Sequence, residues 1–362
     1  MPALDEYFRM MVERKASDLH FSTNSQPILR ISGDMTVIDG KPVTTHQAAR
    51  EILWEIMPEK NREEFKERHD TDFAYAIAGL GRFRCNIFMD RHGIGGVFRL
   101  IPDKILTVDD LKLSEEIRKL CFLSKGLVLV TGPTGSGKST TLCALIDHIN
   151  GTRRDHIITI EDPIEFVHVN KKCLINQREV HAHTKSFSAA LRAALREDPD
   201  VVLVGEMRDL ETTRIAIETA ETGHLVFGTL HTNTAPSTVD RLINQFPANE
   251  QDQIRMMLAS SLKAVVSQTL VKKVGGGRVA ALETLFVTPP VAANIREAKT
   301  YQIASVMQTG ARSGMVLLND ALLKLAKAKL ADPKECYIKA VDKEDFVRKC
   351  QAEQIRIDLG AG

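Results

Sequence analysis

The stretch Gly132-Pro133-Thr134-Gly135-Ser136-Gly137-Lys138-Ser139-Thr140 decides the fold of this chain. It matches the pattern G-x-x-x-x-G-K-S/T, in which backbone amides curl around a phosphate chain and the next helix adds the positive end of its dipole. The apolar run 127–130 precedes it and a helical pattern over 140–149 follows, which is the context that the motif requires. The pattern therefore predicts an α/β nucleotide-binding domain.

The residue types in this loop indicate part of its chemistry. Lys138 is expected to reach the β- and γ-phosphates of a nucleotide, and Ser139 is expected to bind Mg²⁺. The predicted nucleotide-binding residues are Thr134, Gly135, Ser136, Gly137, Lys138, Ser139 and Thr140. A phosphate loop indicates a nucleotide but leaves kinase, switch, motor and inactive binding module open.

Composition limits the classes of function. The chain has 362 residues, with 48 Lys and Arg against 47 Asp and Glu, and its formal net charge of +1 argues against a protein built to coat nucleic acid. Its longest apolar run, 73–78, is far shorter than the roughly 20 residues of a membrane-spanning helix. There is no signal-peptide pattern and no C-x-x-C pair. These features predict a cytoplasmic protein with no nucleic-acid partner and no direct membrane insertion.

The chain is expected to form two domains. Residues 1–101 mix short helical and strand patterns, with a hairpin signal at 79–81, and predict a small α+β domain. A linker is expected at 102–110, and 111–362 is expected to form the second domain. This domain boundary is inferred from the change in the sequence pattern that follows the linker.

The second domain alternates strands with helices. Four short apolar runs are each followed by a helical stretch, and this order predicts a mainly parallel sheet covered by helices. The runs are 127–130, 157–160, 201–204 and 225–230. From Ile254 onward the chain is predicted to be mostly helical, apart from a hairpin around 278–287.

Carboxylates follow two of these strands, at the ends where parallel sheets bind ligands. Glu206 follows the third run, with Gly205 in the place of the usual Walker B aspartate, and is expected to act on Mg²⁺ through water. Glu161, Asp162 and Glu165 follow the second run. Glu165 is the candidate to position and deprotonate an attacking water, and a solvated acidic loop is the alternative.

A histidine stands at each end of the fourth run. His231, at the carboxyl end, is placed like a sensor of the γ-phosphate, whereas His224 is expected in the core or at a subunit contact. The intervening strand of about seven residues would separate the two rings by some 20 Å, so they are not expected to share a metal ion.

Arginines of the first domain are candidates for a phosphate site. Period-2 alternation places Arg82, Arg84 and Asn86 on one face of a strand, and Arg99 lies on the next strand. Such a face is usually solvated, but phosphoryl transfer needs cations on the developing charge. Arg84 and Arg99 are therefore expected to close the site from the other domain.

Eight segments that span most of the chain together carry a family resemblance. They are 16–20, 81–84, 132–141, 159–166, 176–181, 194–200, 205–209 and 222–232. In them the sequence resembles the type IV pilus retraction ATPases of the PilT/secretion ATPase superfamily. The resemblance implies a PAS-like first domain, a RecA-like second domain with a helical C-terminal part, assembly as a homohexamer, and ATP with Mg²⁺ as the ligands.

The resemblance also implies roles for single residues. Glu165 matches the catalytic glutamate of the family's Asp box, Glu206 matches the Walker B glutamate, and His231 lies in the His box. Arg84 and Arg99 would reach the nucleotide. Turnover of ATP would change the angle between the domains and drive pilus retraction and twitching motility. The expected partners are a PilC-like platform protein at the inner face of the inner membrane and a PilU-like paralogue.

The subtype depends on further comparisons with the family. Pilus assembly and type II secretion ATPases usually carry an extra N-terminal domain and a tetracysteine zinc motif; this sequence shows neither, which favours retraction. The retraction motif Ala-Ile-Arg-Asn-Leu-Ile-Arg-Glu is matched only in part, by 292–297. The alternatives are a paralogue or accessory subunit that modulates another pilus motor, and a pilus or secretion assembly ATPase.

Overall fold

The computed structural model describes residues 2–31, 33–101 and 105–358. The chain divides into two units, Met1–Lys104 and Ile105–Gly362. Residues 102–104 of the expected linker lie outside the described residues. In the remainder of that segment, Thr107 N donates to Asp110 Oδ2 at 3.0 Å, and Val108 is buried in the core of the second unit.

In the part of the first unit that the structure describes, there are a six-stranded sheet and three helices. Its strands are β1 (Asp18–Ser22), β2 (Ile28–Ile31), β3 (Asp34–Val37), β4 (Asp70–Ile77), β5 (Gly81–Asp90) and β6 (Gly93–Ile101). Its helices are α1 (Leu4–Glu13), α2 (His46–Ile56) and α3 (Glu59–Arg68). The strand order is β3-β2-β1-β6-β5-β4, and every neighbouring pair is antiparallel. The hairpin predicted at 79–81 is confirmed as the β4–β5 turn.

One face of this sheet is apolar and the other is polar. Along β5, Phe83, Cys85 and Ile87 are buried, whereas Arg84 is exposed, which confirms the predicted alternation. The ring of Phe8 in α1 stacks on Phe83 with centroids 4.1 Å apart. Burial of such large rings drives the helix onto the apolar face and leaves the arginine-bearing face without that cover.

The second unit contains a seven-stranded sheet flanked by helices. Its strands are β7 (Gly126–Thr131), β8 (His156–Glu161), β9 (Leu174–Glu179), β10 (Val201–Val204), β11 (Leu225–Leu230), β12 (Leu262–Lys272) and β13 (Arg278–Phe286). Its helices are α4 (Glu115–Lys119), α5 (Lys138–Thr152), α6 (Phe187–Ala194), α7 (Leu210–Glu221), α8 (Ala235–Asn244), α9 (Gln251–Ser261), α10 (Pro289–Arg296), α11 (Ile303–Thr309), α12 (Leu318–Lys327), α13 (Pro333–Lys339) and α14 (Lys343–Ala352). One-turn 3-10 helices lie at Leu120–Phe122, Thr300–Gln302 and Gly310–Ser313.

The order of this sheet is β13-β12-β7-β11-β10-β8-β9, with only the β12–β13 pair antiparallel. The four strands predicted from apolar runs are all present, and β7, β10 and β11 are buried along their whole length. Helices cover both faces, so alternate residues of each strand pack into two separate cores. The carboxyl ends of β7, β8, β10 and β11 consequently meet at one edge.

The C-terminal part differs from the prediction. Among the described residues after Ile254, helices outnumber strands as predicted, but 262–272 forms the unpredicted strand β12, and the region expected as a whole hairpin is β13, its antiparallel partner. The polar residues Lys263, Ser267 and Gln268 break up the apolar pattern of β12, so the sequence does not show a strand there. The pairing of β12 with β7 also depends on contacts between segments that are distant in sequence. The edge strand β9 was also missed, since its sequence Leu-Ile-Asn-Gln-Arg-Glu is mainly polar.

A buried carboxylate joins the β12–β13 hairpin to the helices around it. Glu283 in β13 accepts hydrogen bonds from Ala235 N at 2.6 Å and from Leu318 N at 3.0 Å, at the starts of α8 and α12. These contacts satisfy helix-end amides that have no partner within their own helices. No helix in the described ranges has the length and apolar character needed to span a membrane.

Candidate functional site

The phosphate-loop motif lies between β7 and α5, as the sequence predicts. At Gly132 the backbone has φ of 140°, and a Cβ there would lie 2.2 Å from the carbonyl oxygen of Gln268, so only glycine fits. Helix α5 begins at Lys138, and its first amides and positive dipole end therefore face the loop. The geometry is that of an anion-binding cradle.

Polar groups inside this cradle suit a phosphate chain. Lys138 Nζ donates to Gly132 O at 2.9 Å, and the buried Ser136 hydroxyl has no hydrogen-bond partner among the described residues. Burial lowers the pKa of Lys138, while the negative charges of Glu206 and Glu165 act in the opposite direction. Phosphate oxygens would pair with both the Ser136 hydroxyl and the Lys138 ammonium, so the residues present fit a nucleotide.

Strand β12 braces the loop, and sequence reasoning missed this contribution. Gln268 Nε2 donates to Ser136 O at 2.6 Å, and its Oε1 accepts from Thr141 Oγ1 at 2.8 Å. One residue earlier, the hydroxyls of Ser267 and Thr131 are 2.8 Å apart. Gln268 therefore fixes the loop to its helix. No local signal marks this residue, since its strand was not recognised.

Glu206 forms the centre of a charged group. Its Oε1 lies 2.7 Å from His231 Nε2 and also contacts Arg208 Nε. Burial raises the pKa of Glu206, but the hydrogen bonds and positive charges of Arg208 and His231 outweigh burial and lower it. The carboxylate is therefore held ionised. Sequence reasoning did not single out Arg208, for which the one available signal was its position two residues after Glu206.

Gly205, in the place of the Walker B aspartate, lies close to the backbone at the end of β8. Gly205 N donates to Ile160 O at 2.7 Å, and a Cβ on Gly205 would lie 3.0 Å from that same oxygen. A side chain at position 205 would therefore pack tightly against the backbone at the end of β8. The first carboxylate after the strand is Glu206.

The three acidic residues after β8 differ in burial. Glu161 is the least exposed of the three, and it accepts hydrogen bonds from Thr159 Oγ1 at 2.6 Å and from Gln177 Nε2 at 3.1 Å. Burial raises the pKa of Glu161 more than these hydrogen bonds lower it. Asp162 and Glu165 are exposed. No group of three or more His, Cys, Asp or Glu side chains within the described ranges could hold a metal ion.

The structure brings the predicted residues of the second unit together at one edge of its sheet. His231 and Glu206 are in contact there, and Glu165 and Glu206 both act on Lys138. His224 lies at the opposite end of β11, where its Nδ1 is 3.2 Å from Thr219 O, a purely local contact.

The two arginines of the first unit are direct neighbours. Arg84 and Arg99 are paired across β5 and β6, so their side chains lie on the same face. Arg99 Nε donates to Asp18 Oδ1 at 2.8 Å, and Arg84 Nε lies 3.8 Å from Asp72 Oδ1. The buried carboxylate of Asp18 fixes one edge of the Arg99 guanidinium.

Comparisons with known proteins agree with this architecture. The profile of the type II/IV secretion system protein family matches residues 1–328. The chain is 50% identical over 343 residues to the type IV pilus retraction ATPase PilT of Pseudomonas aeruginosa, covering 95% of this chain and 99% of PilT. It is 40% identical over 322 residues to the type IV pilus ATPase PilU of the same organism, covering 89% and 84%.

A solved structure of the pilus retraction motor PilT with bound ADP is also similar. It superposes with a TM-score of 0.90 at 44% identity, covering 96% of this chain and 99% of that one. The chain therefore belongs to the type II/IV secretion system protein family. It is an ATPase of the PilT type, and the predicted fold class, a RecA-like P-loop domain after a small α+β domain, is confirmed.

Proposed function

We propose that this chain is an ATP-driven motor that retracts type IV pili. The observation that carries the proposal is the edge of the second sheet, where Lys138 Nζ donates to Gly132 O at 2.9 Å within the phosphate loop and Glu206 Oε1 lies 2.7 Å from His231 Nε2. The identity of 50% to a pilus retraction ATPase, over nearly the whole of both chains, supports retraction as the work performed.

Each residue at this edge has a proposed role. The segment 134–140 binds the phosphates, with Lys138 on the β- and γ-phosphates. Ser139 would hold Mg²⁺ and Glu206 would act on it through water; the ion would neutralise charge on the phosphates. Glu165 takes the proton from the water that attacks the γ-phosphate. His231, in contact with Glu206, reports the presence of that phosphate.

Arg84 and Arg99 are proposed to place positive charge on the transferring phosphoryl group. Asp18 accepts from Nε of Arg99 and thereby fixes the plane of the guanidinium. Arginines that meet developing charge are worth about 10³ to 10⁵ in rate.

Replacing both arginines by alanine is expected to lower kcat at least about tenfold while the ADP affinity changes less than about twofold, because ADP lacks the γ-phosphate. ATPase assays and ADP titration of the purified double variant check this. Arg14→Ala, an exposed arginine at the end of α1, is the matched control. Equal losses of ADP and ATP affinity would contradict the role.

The finer features of the motor are also proposals. The working unit is a homohexamer at the inner face of the inner membrane, where turnover moves the first domain relative to the second and acts on a PilC-like platform protein. The family membership and the names of the related pilus ATPases support this assignment.

Deletion of the gene in a piliated bacterium that encodes the chain tests the proposal. The mutant is expected to keep surface pili but to lose twitching, and the wild-type gene is expected to restore it. Loss of the pili themselves would instead indicate an assembly ATPase.

A second candidate is an accessory subunit of the PilU type, favoured by the 40% identity to PilU. In that case hydrolysis by this chain is dispensable. The two candidates are separated by complementing the deletion strain with a Glu165→Gln gene. Restored twitching identifies the accessory subunit, and absent twitching identifies the motor.

A further inference from the structure

The edge strand β9 carries two polar side chains, Gln177 and Glu179, that contact the segment following β8. Gln177 and Glu179 alternate with Asn176 and Arg178, so the first two lie on one face of the strand and the other two on the opposite face. Register pairs Gln177 with Thr159 and Glu179 with Glu161 of β8. The face of Gln177 and Glu179 is therefore continuous with the one that carries Glu161.

Both side chains hydrogen-bond to the backbone of the segment that carries Glu165. Glu179 Oε2 accepts from Ile164 N at 3.0 Å, immediately before Glu165. Gln177 Nε2 donates to Phe166 O at 2.8 Å, immediately after it. The exposed Glu165 thus stands between two backbone groups that are held by one strand.

Gln177 also hydrogen-bonds to residues on either side of the segment 164–166. Its Oε1 accepts from His168 N at 2.7 Å, and its Nε2 also reaches Glu161 Oε1 at 3.1 Å. A single amide therefore ties the end of β8 to the loop beyond Glu165. The segment has no helix or strand of its own to fix it.

We propose that Gln177 and Glu179 are positioning residues that fix the backbone on either side of Glu165 and so aim its carboxylate at the attacking water. The inference rests on the proposed role of Glu165 as the base. Neither side chain touches the reacting atoms. Misplacement of a catalytic group by about 1 Å costs roughly 10²-fold in rate, so loss of either tie is expected to act on kcat rather than on nucleotide affinity.

The experiment compares purified full-length variants by kcat and by the affinity for the non-hydrolysable analogue AMP-PNP with Mg²⁺, measured by calorimetry. Gln177→Ala and Glu179→Ala are expected to lower kcat at least about tenfold, with AMP-PNP affinity within about threefold of wild type. Glu179→Gln retains an acceptor for Ile164 N and is expected to keep kcat within about threefold. Asn176→Ala and Arg178→Ala, on the opposite face, are matched controls with unchanged kcat.

A double-mutant cycle separates this inference from the proposed role of Glu165. If the hydrogen bonds of Gln177 and Glu179 act through Glu165, introducing Glu179→Ala into the Glu165→Gln variant lowers its residual kcat less than about twofold. An unchanged kcat in Glu165→Gln itself would overturn both proposals. Two results would overturn the positioning role alone, provided that Glu165→Gln itself has a reduced kcat. One is that the losses of kcat in Glu165→Gln and Glu179→Ala add in the double variant, and the other is that kcat and AMP-PNP affinity fall in parallel in Gln177→Ala and Glu179→Ala. If Gln177→Ala does not fold, the comparison of Glu179→Ala with Glu179→Gln tests the positioning role. Equal losses of kcat in these two variants would also overturn that role.

Discussion

Lys138→Ala is expected to reduce kcat/KM for ATP by roughly 10³-fold or more, or about 4 kcal/mol of transition-state stabilisation. The side chain is the one cation contributed by residues 132–140, and removing it takes away the positive charge that the loop places on the β- and γ-phosphates. Steady-state ATPase assays with the purified protein measure this loss.

The same variant is not expected to lose thermal stability. Burial lowers the pKa of Lys138, which means that its charged form is disfavoured in the folded protein, and alanine removes that cost. Lys125→Ala is the matched control, since Lys125 is exposed at the opposite end of β7. Near-normal turnover by Lys138→Ala would place the nucleotide elsewhere, and unfolding would assign the lysine a structural role.

Glu165→Gln is expected to lower kcat by roughly 10²-fold or more while nucleotide affinity stays within about threefold. The amide matches the carboxylate in shape but cannot take a proton, so the effect falls on the attack of water and not on binding. Single-turnover measurement of phosphate release, together with AMP-PNP titration, separates the two quantities.

Glu344→Gln provides the matched control for this change, because Glu344 is an exposed carboxylate in α14. Its kcat should equal that of wild type. A parallel fall of affinity and kcat in Glu165→Gln would show that Glu165 supports the loop instead of acting on water. Unchanged kcat would leave Glu161 or Glu206 as the base.

The predictable part of the fold came from patterns that depend on nearest neighbours in the chain. Continuous apolar runs marked β7, β8, β10 and β11, since each of these strands is covered on both faces. The phosphate loop could be predicted because its glycines, lysine and serine all lie in one short continuous segment. The alternation of β5 likewise placed Arg84 on the polar face.

What sequence reasoning missed depends on pairing between distant segments. Gln268 reaches the loop only because β12 lies beside β7, and β12 carries no continuous apolar pattern. Arg208 became part of the site because its side chain turns back to Glu206. The Asp18 contact of Arg99 requires the register between β1 and β6. A tertiary contact of this kind leaves no mark in local composition.

The brace from β12 has a consequence for how the protein is made. The phosphate-loop motif ends at Thr140, but the residue that ties Ser136 to Thr141 is Gln268, 127 positions after Thr141. A nascent chain that has emerged only as far as α9 contains every residue of the motif and lacks the strand that gives the loop its shape. Because chains are synthesised from the N-terminus, the ability to hold a nucleotide arises late in biosynthesis, when most of the second unit is already present.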